Sequence, residues 1–455
     1  MTDQATIRRY VEANAKRFVE IHRDACSIPS ISTEGQGMEE MAGWLQGKLE
    51  GLGAKVTRLE VPGAPAALVG EIKGAGERTL MIYDHYDVQP VDPLDLWETP
   101  PFEPAERDGR IFARGAADNK GDLVARLCAI ETYADVVGEL PFNIKFFVEG
   151  EEETGSPHFE EICKTYAAQL GADHCIWEGG SFDAGDHPVM YYGCKGLLFV
   201  ELTCDLLSGD QHSSLAVKAP SAAWELVRAL ASLKDEKGRI AIDGFYDDIV
   251  EPGEREREMI SKLPVDDEAE LARLGIDSFA GGLRGVELLF EGFYQPTANI
   301  AGLLSGYTVP GATKTVLPAK AMAKMDFRLV PDQNAADIAA KLRRHLDKEG
   351  FGRVKVEVLS GENPSRSPMD TALGAAVESS VAEWFPQPAS VQPFMVATGP
   401  MYPIAQGLGV PICSPPGVTR PDSQIHAPNE NVRIADFLDI VGFTAGYLQA
   451  FGEAS

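Results

Sequence analysis

Thr79-Leu80-Met81-Ile82-Tyr83-Asp84-His85-Tyr86-Asp87 is the stretch from which the fold can be read, because a short apolar run passes straight into an aspartate, a histidine and a second aspartate. A run this short suits a buried strand. Two further runs end the same way: Phe142 to Val148 stops at Glu149-Gly150-Glu151-Glu152-Glu153-Thr154-Gly155-Ser156, and His174 to Trp177 stops at Glu178-Gly179-Gly180. Between them Ala117-Asp118-Asn119-Lys120-Gly121 leads into a helical pattern over Asp122 to Val137. Strand, helix and strand alternating in this way predict a mainly parallel sheet with covering helices, and such sheets present ligand-binding groups at their strand ends.

Working outward, Ile7 to Ile28 and Met38 to Leu52 carry apolar residues at helical spacing, and Lys55 to Val61 and Ala66 to Ile72 read as strands. Ser156-Pro157 has the form of an N-cap and first position of a helix. After Gly193 the pattern changes to long strands (Gly196 to Cys204, Ala319 to Val330, Val354 to Leu359) interleaved with helices (Ser221 to Leu233, Asn334 to Lys348). The expected fold class is therefore α/β. A catalytic unit of residues 1–193 and 361–455 carries an inserted α+β unit of residues 194–360, whose acidic stretch Asp247 to Glu270 reads as a solvated helical surface. The last helix is expected from about Ile434 to Phe451.

A chain of 455 residues is longer than one core usually supports. Its net charge of −28 repels phosphate backbones and anionic headgroups, so nucleic acid and membrane surfaces are excluded as main partners and cations are favoured. Met1 to Phe18 lacks the apolar core of a secretory signal, and no stretch approaches the roughly 20 apolar residues of a membrane span. Seven cysteines without a Cys-x-x-Cys pair read as reduced, buried thiols of a cytoplasmic protein.

His85 and Asp87 are two residues apart, so Asp87 can fix the tautomer of a metal-bound His85. Asp118, flanked by Gly115 and Gly121, reads equally well as a helix N-cap or a metal ligand. The run from Glu149 to Glu153 is harder to explain without cations, since four carboxylates in five residues repel one another at a buried strand end. His426 and His212 are the histidines set in short polar turns; His22, His158, His174, His187 and His345 have ordinary surface or helix settings.

Taken together, Tyr83-Asp-His-Tyr-Asp-Val-Gln-Pro90, Arg107 to Gly121, Phe147 to Ser156, Asp210-Gln-His-Ser213, Lys314 to Pro318, Phe327 to Pro331 and His426-Ala-Pro-Asn-Glu430 resemble the M20 family of metallopeptidases. The likeness is strongest to its cytosolic nonspecific dipeptidase and carnosinase branch. The resemblance implies that His85, Asp118 and Glu178 hold one divalent metal and Asp118, Glu153 and His426 a second. Zinc is the expected metal, with manganese and cobalt as alternatives. It further implies Glu152 as general base to a hydroxide shared by the metals, Asp87 behind His85, and Arg328 and Asn299 as substrate contacts. His212 is implied as a residue of an inserted lid and dimerisation domain that reaches a partner's site in a homodimer.

Two departures bear on the substrate. The dipeptidase branch has Asp where this chain has Glu178, and its Arg-Glu-Gly-Gly-Ser type loop is replaced by Ala397-Thr398-Gly399-Pro400-Met401-Tyr402-Pro403. The expected activity is hydrolysis of the amide bond of a small dipeptide-like or N-acyl amino acid substrate. The alternatives are an amidohydrolase acting on a non-peptide C–N bond and a silent relative kept as a binding protein.

Overall fold

The computed structural model describes residues 4–454, so the first three residues of the N-terminal stretch read above lie outside the described residues. The first sheet has six strands in the order Lys55–Leu59, Ala67–Ile72, Asn143–Glu149, Thr79–His85, His174–Ile176 and Ile412–Cys413. The last three pairings are parallel and the first two antiparallel. Alternation along the strands fills both faces. Leu80 and Ile82 enter a core with Val124, Leu127 and Tyr447, while Met81 and Tyr83 enter a second core with Phe159 and Trp177. Each such large apolar side chain, fully buried, contributes about 1.5–3 kcal/mol.

The helix Lys120–Val136 is buried almost all round, because Gln4–Cys26 and Ile434–Glu453 both pack against it. Its position matters for the site, since the loop that feeds it carries Asp118. The helix after the glutamate run begins at Phe159 rather than at Pro157. Ser156 has φ of 47°, outside helical space, and its hydroxyl turns inward to Glu149. The Ser-Pro pair therefore closes a turn instead of opening a helix.

A second sheet follows the order Thr297–Ser305, Lys320–Leu329, Gly196–Asp205 and Lys355–Glu362, antiparallel throughout. Its core is separate: Leu198, Val200, Met325 and Phe327 meet Leu226, Ile338 and Leu342 of the helices Ala222–Ser232 and Ala335–Lys348. Those helices are capped by Ser221 and Asn334, whose side chains accept from the amides of Trp224 and Asp337. Cover does not extend to the edges, where Ile300, Leu303, Leu304 and Val358 remain about half exposed.

The acidic stretch is not wholly solvated. Helix Glu254–Ser261 buries Ile260 completely beside Phe293 and Tyr294 of helix Gly285–Tyr294, and both aromatic rings pack edge-on against Phe394. Glu256, only 4% exposed, pairs with Arg366 at 2.6 Å. Its i+4 spacing from Ile260 puts that carboxylate on the buried face, which the high charge of the segment conceals. All seven cysteines are buried and free, and among the described residues no helix is long and apolar enough to cross a membrane.

Candidate metal centre

Parallel strands deliver His85 and Glu149 to adjacent positions, since the two are register partners at their strand ends. His85 Nε2 lies 3.2 Å from Asp118 Oδ1 and 3.3 Å from Glu178 Oε2. Asp118 turns its other oxygen to a second histidine: His426 Nε2 is 3.0 Å from Asp118 Oδ2 and 3.1 Å from Glu153 Oε2. The donor atoms of His85, Asp118 and Glu178, and those of Asp118, Glu153 and His426, each lie within 4.8 Å of one another. Glu152 Oε2 stands beside the first group, 4.0 Å from His85 Nε2. Asp118 is not spent on capping, because the following helix has Asn119 at its cap position.

The donors are held by groups that accept or give hydrogen bonds behind them. Asp87 faces His85 Nδ1 at 3.3 Å, and its two oxygens accept the backbone N–H groups of Glu152 at 3.2 Å and Glu153 at 3.1 Å. One buried carboxylate thus positions a histidine and both glutamates. Trp177 Nε1 donates to Glu178 at 2.8 Å, Asn119 Nδ2 at 3.1 Å, and Gln89 Nε2 donates to Glu153 at 2.9 Å. Gly150 is required by close approach, since a Cβ there would come within 2.4 Å of the Tyr86 ring.

Glu430, fully buried, is the positioning residue that the sequence reading missed. It accepts the backbone N–H groups of Gly115, Ala117 and Asp118, each at 3.0 Å, and pairs with buried Arg114 at 2.6 Å. Glu430 closes the quoted motif His426-Ala-Pro-Asn-Glu430, but nothing in its spacing reveals that it reaches a loop more than 300 residues away. Glu149 is likewise structural: Tyr83 and Ser156 donate to it at 2.6 and 2.9 Å, and burial pushes its pKa up to about 8.

Electrostatics show what the donors want. Burial raises Glu152 well above the ordinary carboxylate range, with Glu178 adding to the effect, and burial and Asp118 raise Glu153. Hydrogen bonds to Asp118 and Glu153 raise His426 to about 10. Burial opposes a charge on His85, yet its bonds to Asp118, Asp87 and Glu178 hold it well above the ordinary histidine range. The carboxylates thus draw positive charge onto whatever lies between them. Two imidazole nitrogens with carboxylate oxygens, one carboxylate common to both groups, form a donor set that fits two divalent cations.

The remaining expected site residues lie on the second sheet or near it. Arg328 donates to Thr398 Oγ1 at 2.6 Å, across to the loop that replaces the glycine-rich one. Asn299 donates to Asp326 at 2.8 Å. His212 is exposed and bonds Ser214 within its own turn, so among the described residues no hydrogen bond or ion pair joins it to the metal donors.

A sheet presenting a two-histidine, multi-carboxylate cluster at its strand ends defines a metal-dependent hydrolase. The sequence matches Peptidase family M20/M25/M40 across residues 81–450, and the chain belongs to that family. It is similar to the Beta-Ala-His dipeptidase of Mus musculus, 28% identical over 423 residues that cover 87% of this chain and 84% of that one. It is 31% identical over 337 residues to the Cysteinylglycine-S-conjugate dipeptidase of Corynebacterium striatum, covering 71% of this chain and 70% of that one. Among solved structures, an M20 family metallo-carboxypeptidase from Sulfolobus solfataricus superposes with a TM-score of 0.89 at 36% identity, covering 96% of this chain and 99% of that one.

Proposed function

We propose that the chain is a two-metal peptidase that hydrolyses the amide bond of dipeptides and related small substrates. His85, Asp118 and Glu178 would hold one ion, and Asp118, Glu153 and His426 the other. The observation that carries this reading is the division of Asp118, whose two oxygens face two different histidines. Such a pair of ions, zinc being the one we favour, acidifies a water and polarises the scissile carbonyl when bound.

The chain's own groups do the rest. Glu152 stands beside the ligands without being needed by either trio, so it can take the attacking water's proton and return it to the leaving nitrogen. Asp87 keeps His85 oriented. Arg328 supplies a cation for the substrate's carboxylate, and Asn299 lies on the adjacent strand in the same sheet. Named relatives support a dipeptide substrate, while the likeness to a metallo-carboxypeptidase favours a carboxypeptidase as the second reading.

We assign residues 194–360 to a lid and dimerisation domain in a cytoplasmic homodimer, with residues 1–193 and 361–455 as the catalytic domain. The separate core of the second sheet supports this division. So does an open groove of about 740 Å³ beside His212, lined by Trp224, Val227 and Pro318, with Trp224 65% exposed. A partner seated there would lie next to His212.

Glu152→Gln tests the reading. The amide preserves shape but accepts no proton, so turnover of a dipeptide should fall by about 10²- to 10⁴-fold, while metal analysis still finds two ions per chain. Substantial residual turnover would remove Glu152 from the role, and loss of metal would make it a ligand.

A further inference from the structure

Beside the metal loop lies a second cavity, of about 340 Å³, that the mechanism does not use. One wall is Thr154 to Pro157, which directly follows Glu152 and Glu153; the other walls are the end of strand Lys355–Glu362 with Asn363, and the loop Gly399 to Pro403. Consecutive Cα atoms are about 3.8 Å apart, so Gly155 lies within about 8 Å of the proposed ligand Glu153. One small substrate can therefore touch both places.

Glu362 enters this cavity from the second sheet. Its Oε1 is 3.8 Å from where a Cβ on Gly155 would stand, so the carboxylate faces the metal loop. Among the described residues no hydrogen bond or ion pair engages that carboxylate, although burial pushes its pKa up and only the field of Arg328 opposes the rise. Glu362 is half-buried, so its unpaired carboxylate stays open to a cation that arrives in the cavity. Leu197 is register partner of Arg328 on one side and of Glu362 on the other. The two opposite charges therefore share a face, roughly 10 Å apart at their backbones, with Arg328 turned to Thr398 instead of to Glu362. A fixed cation and a fixed anion at that separation complement a molecule with a carboxylate at one end and an ammonium at the other; an extended dipeptide is about 7 Å long.

We propose that Glu362 is the subsite for a positively charged amine of the substrate, so that the enzyme prefers free-amine dipeptides to their N-acylated counterparts. This rests on the peptidase reading above, and it selects within it: a free dipeptide is read at both ends, and an N-acyl amino acid only at one.

The test compares alanyl-leucine with N-acetyl-alanyl-leucine on the metal-loaded enzyme. The ratio of their kcat/KM values should favour the free amine by about 10- to 100-fold, the range of a hydrogen bond to a charged group, and Glu362→Gln should bring the ratio close to one. N-acetyl-lysyl-leucine separates the two sources of an ammonium: if it recovers the preference, the cavity takes a basic side chain, and if not, the terminal amine. A ratio unchanged by Glu362→Gln, including a variant that lowers both rates equally through misfolding, overturns the assignment. A second measurement needs no turnover and so survives failure of the peptidase reading. Calorimetric titration of the metal-loaded Glu152→Gln protein should show tighter binding of alanyl-leucine than of its N-acetyl form, and adding Glu362→Gln should abolish the difference. Equal binding of the two in the Glu152→Gln protein refutes the subsite.

Discussion

The two sheets bury different things. Around the first, Asp84, His85, Asp87, Arg114, Lys120, Asp122, Arg126, Glu149 and Glu430 are all at most 3% exposed, so charge is built into the interior. The core of the second is apolar, and the charged side chains at its margin, such as Lys341, reach outward to Asp248 and Asp337. Burying charge costs stability unless each group has a partner. The first sheet therefore carries a price that only function explains, and the second does not. The first region should respond to metal, to loss of a charge partner and to acid, while the second stays indifferent.

Metal removal should give the largest effect. Each ion present at about 1,000 times its dissociation constant stabilises the folded state by about 4 kcal/mol, so chelation should lower the Tm substantially. Hydrogen exchange should rise around Asp118 and Glu152, with the strands Gly196–Asp205 and Lys320–Leu329 still protected. Equal loss of protection in both sheets would break the contrast.

Removing Glu430 comes next. Glu430→Ala strands buried Arg114 and frees three backbone amides, and breaking a buried pair costs about 3–5 kcal/mol. Chemical denaturation should register this, together with weaker metal binding, since Asp118 loses its support.

Besides the substrate contacts proposed for Arg328, Asn299 and Glu362, the second region would enter catalysis through His212. As a donor to the developing oxyanion, its loss should lower kcat by about 10²- to 10³-fold, with metal content unchanged. Mixing His212→Ala with Glu152→Gln should recover part of the activity if the site is shared between subunits. A mixture that stays inactive despite demonstrated subunit exchange would place His212 outside the site.

The smallest effect is acid sensitivity from His22. It is completely buried, bonds the Ala116 carbonyl at 3.0 Å and stacks on Phe437, and burial lowers its pKa to about 4. Its folded value lies below the unfolded one, so the stability is complete above pH 6.5 and is lost as pH falls toward 4. The loss is about 3 kcal/mol. His22→Gln should remove that part of the pH dependence in urea titrations at pH 7 and pH 4; an unchanged slope would discard it.

Much of this was legible in the chain because the strands that matter are short, apolar and stop at charged residues. Thr79 to Tyr83 delivers His85, and Phe142 to Val148 delivers the glutamates, so fold and donors were read from the same words. What was not legible depends on distance. Glu430 looks like any loop glutamate until it meets residues 115–118, and Glu362 until Gly155 is beside it. Strand Thr297–Ser305 went unread because it lies at an edge, where burial no longer imposes alternation. The charge of Asp247 to Glu270 hid Ile260 and Glu256, whose partners come from elsewhere in the chain.

The docking of helices Glu254–Ser261 and Gly285–Tyr294 on Phe394 and Arg366 also bears on modularity. By sequence they belong to the inserted unit, and by packing to the body that receives it. Expressed alone, residues 194–360 would carry Ile260, Phe293 and Tyr294 without their cover and Glu256 without its arginine. The remaining halves, joined across the gap, would present Phe394 to water. A fragment meant to fold and stay soluble would have to keep this helical pair covered, by retaining the segment that carries Arg366 and Phe394 along with the antiparallel sheet and its two helices.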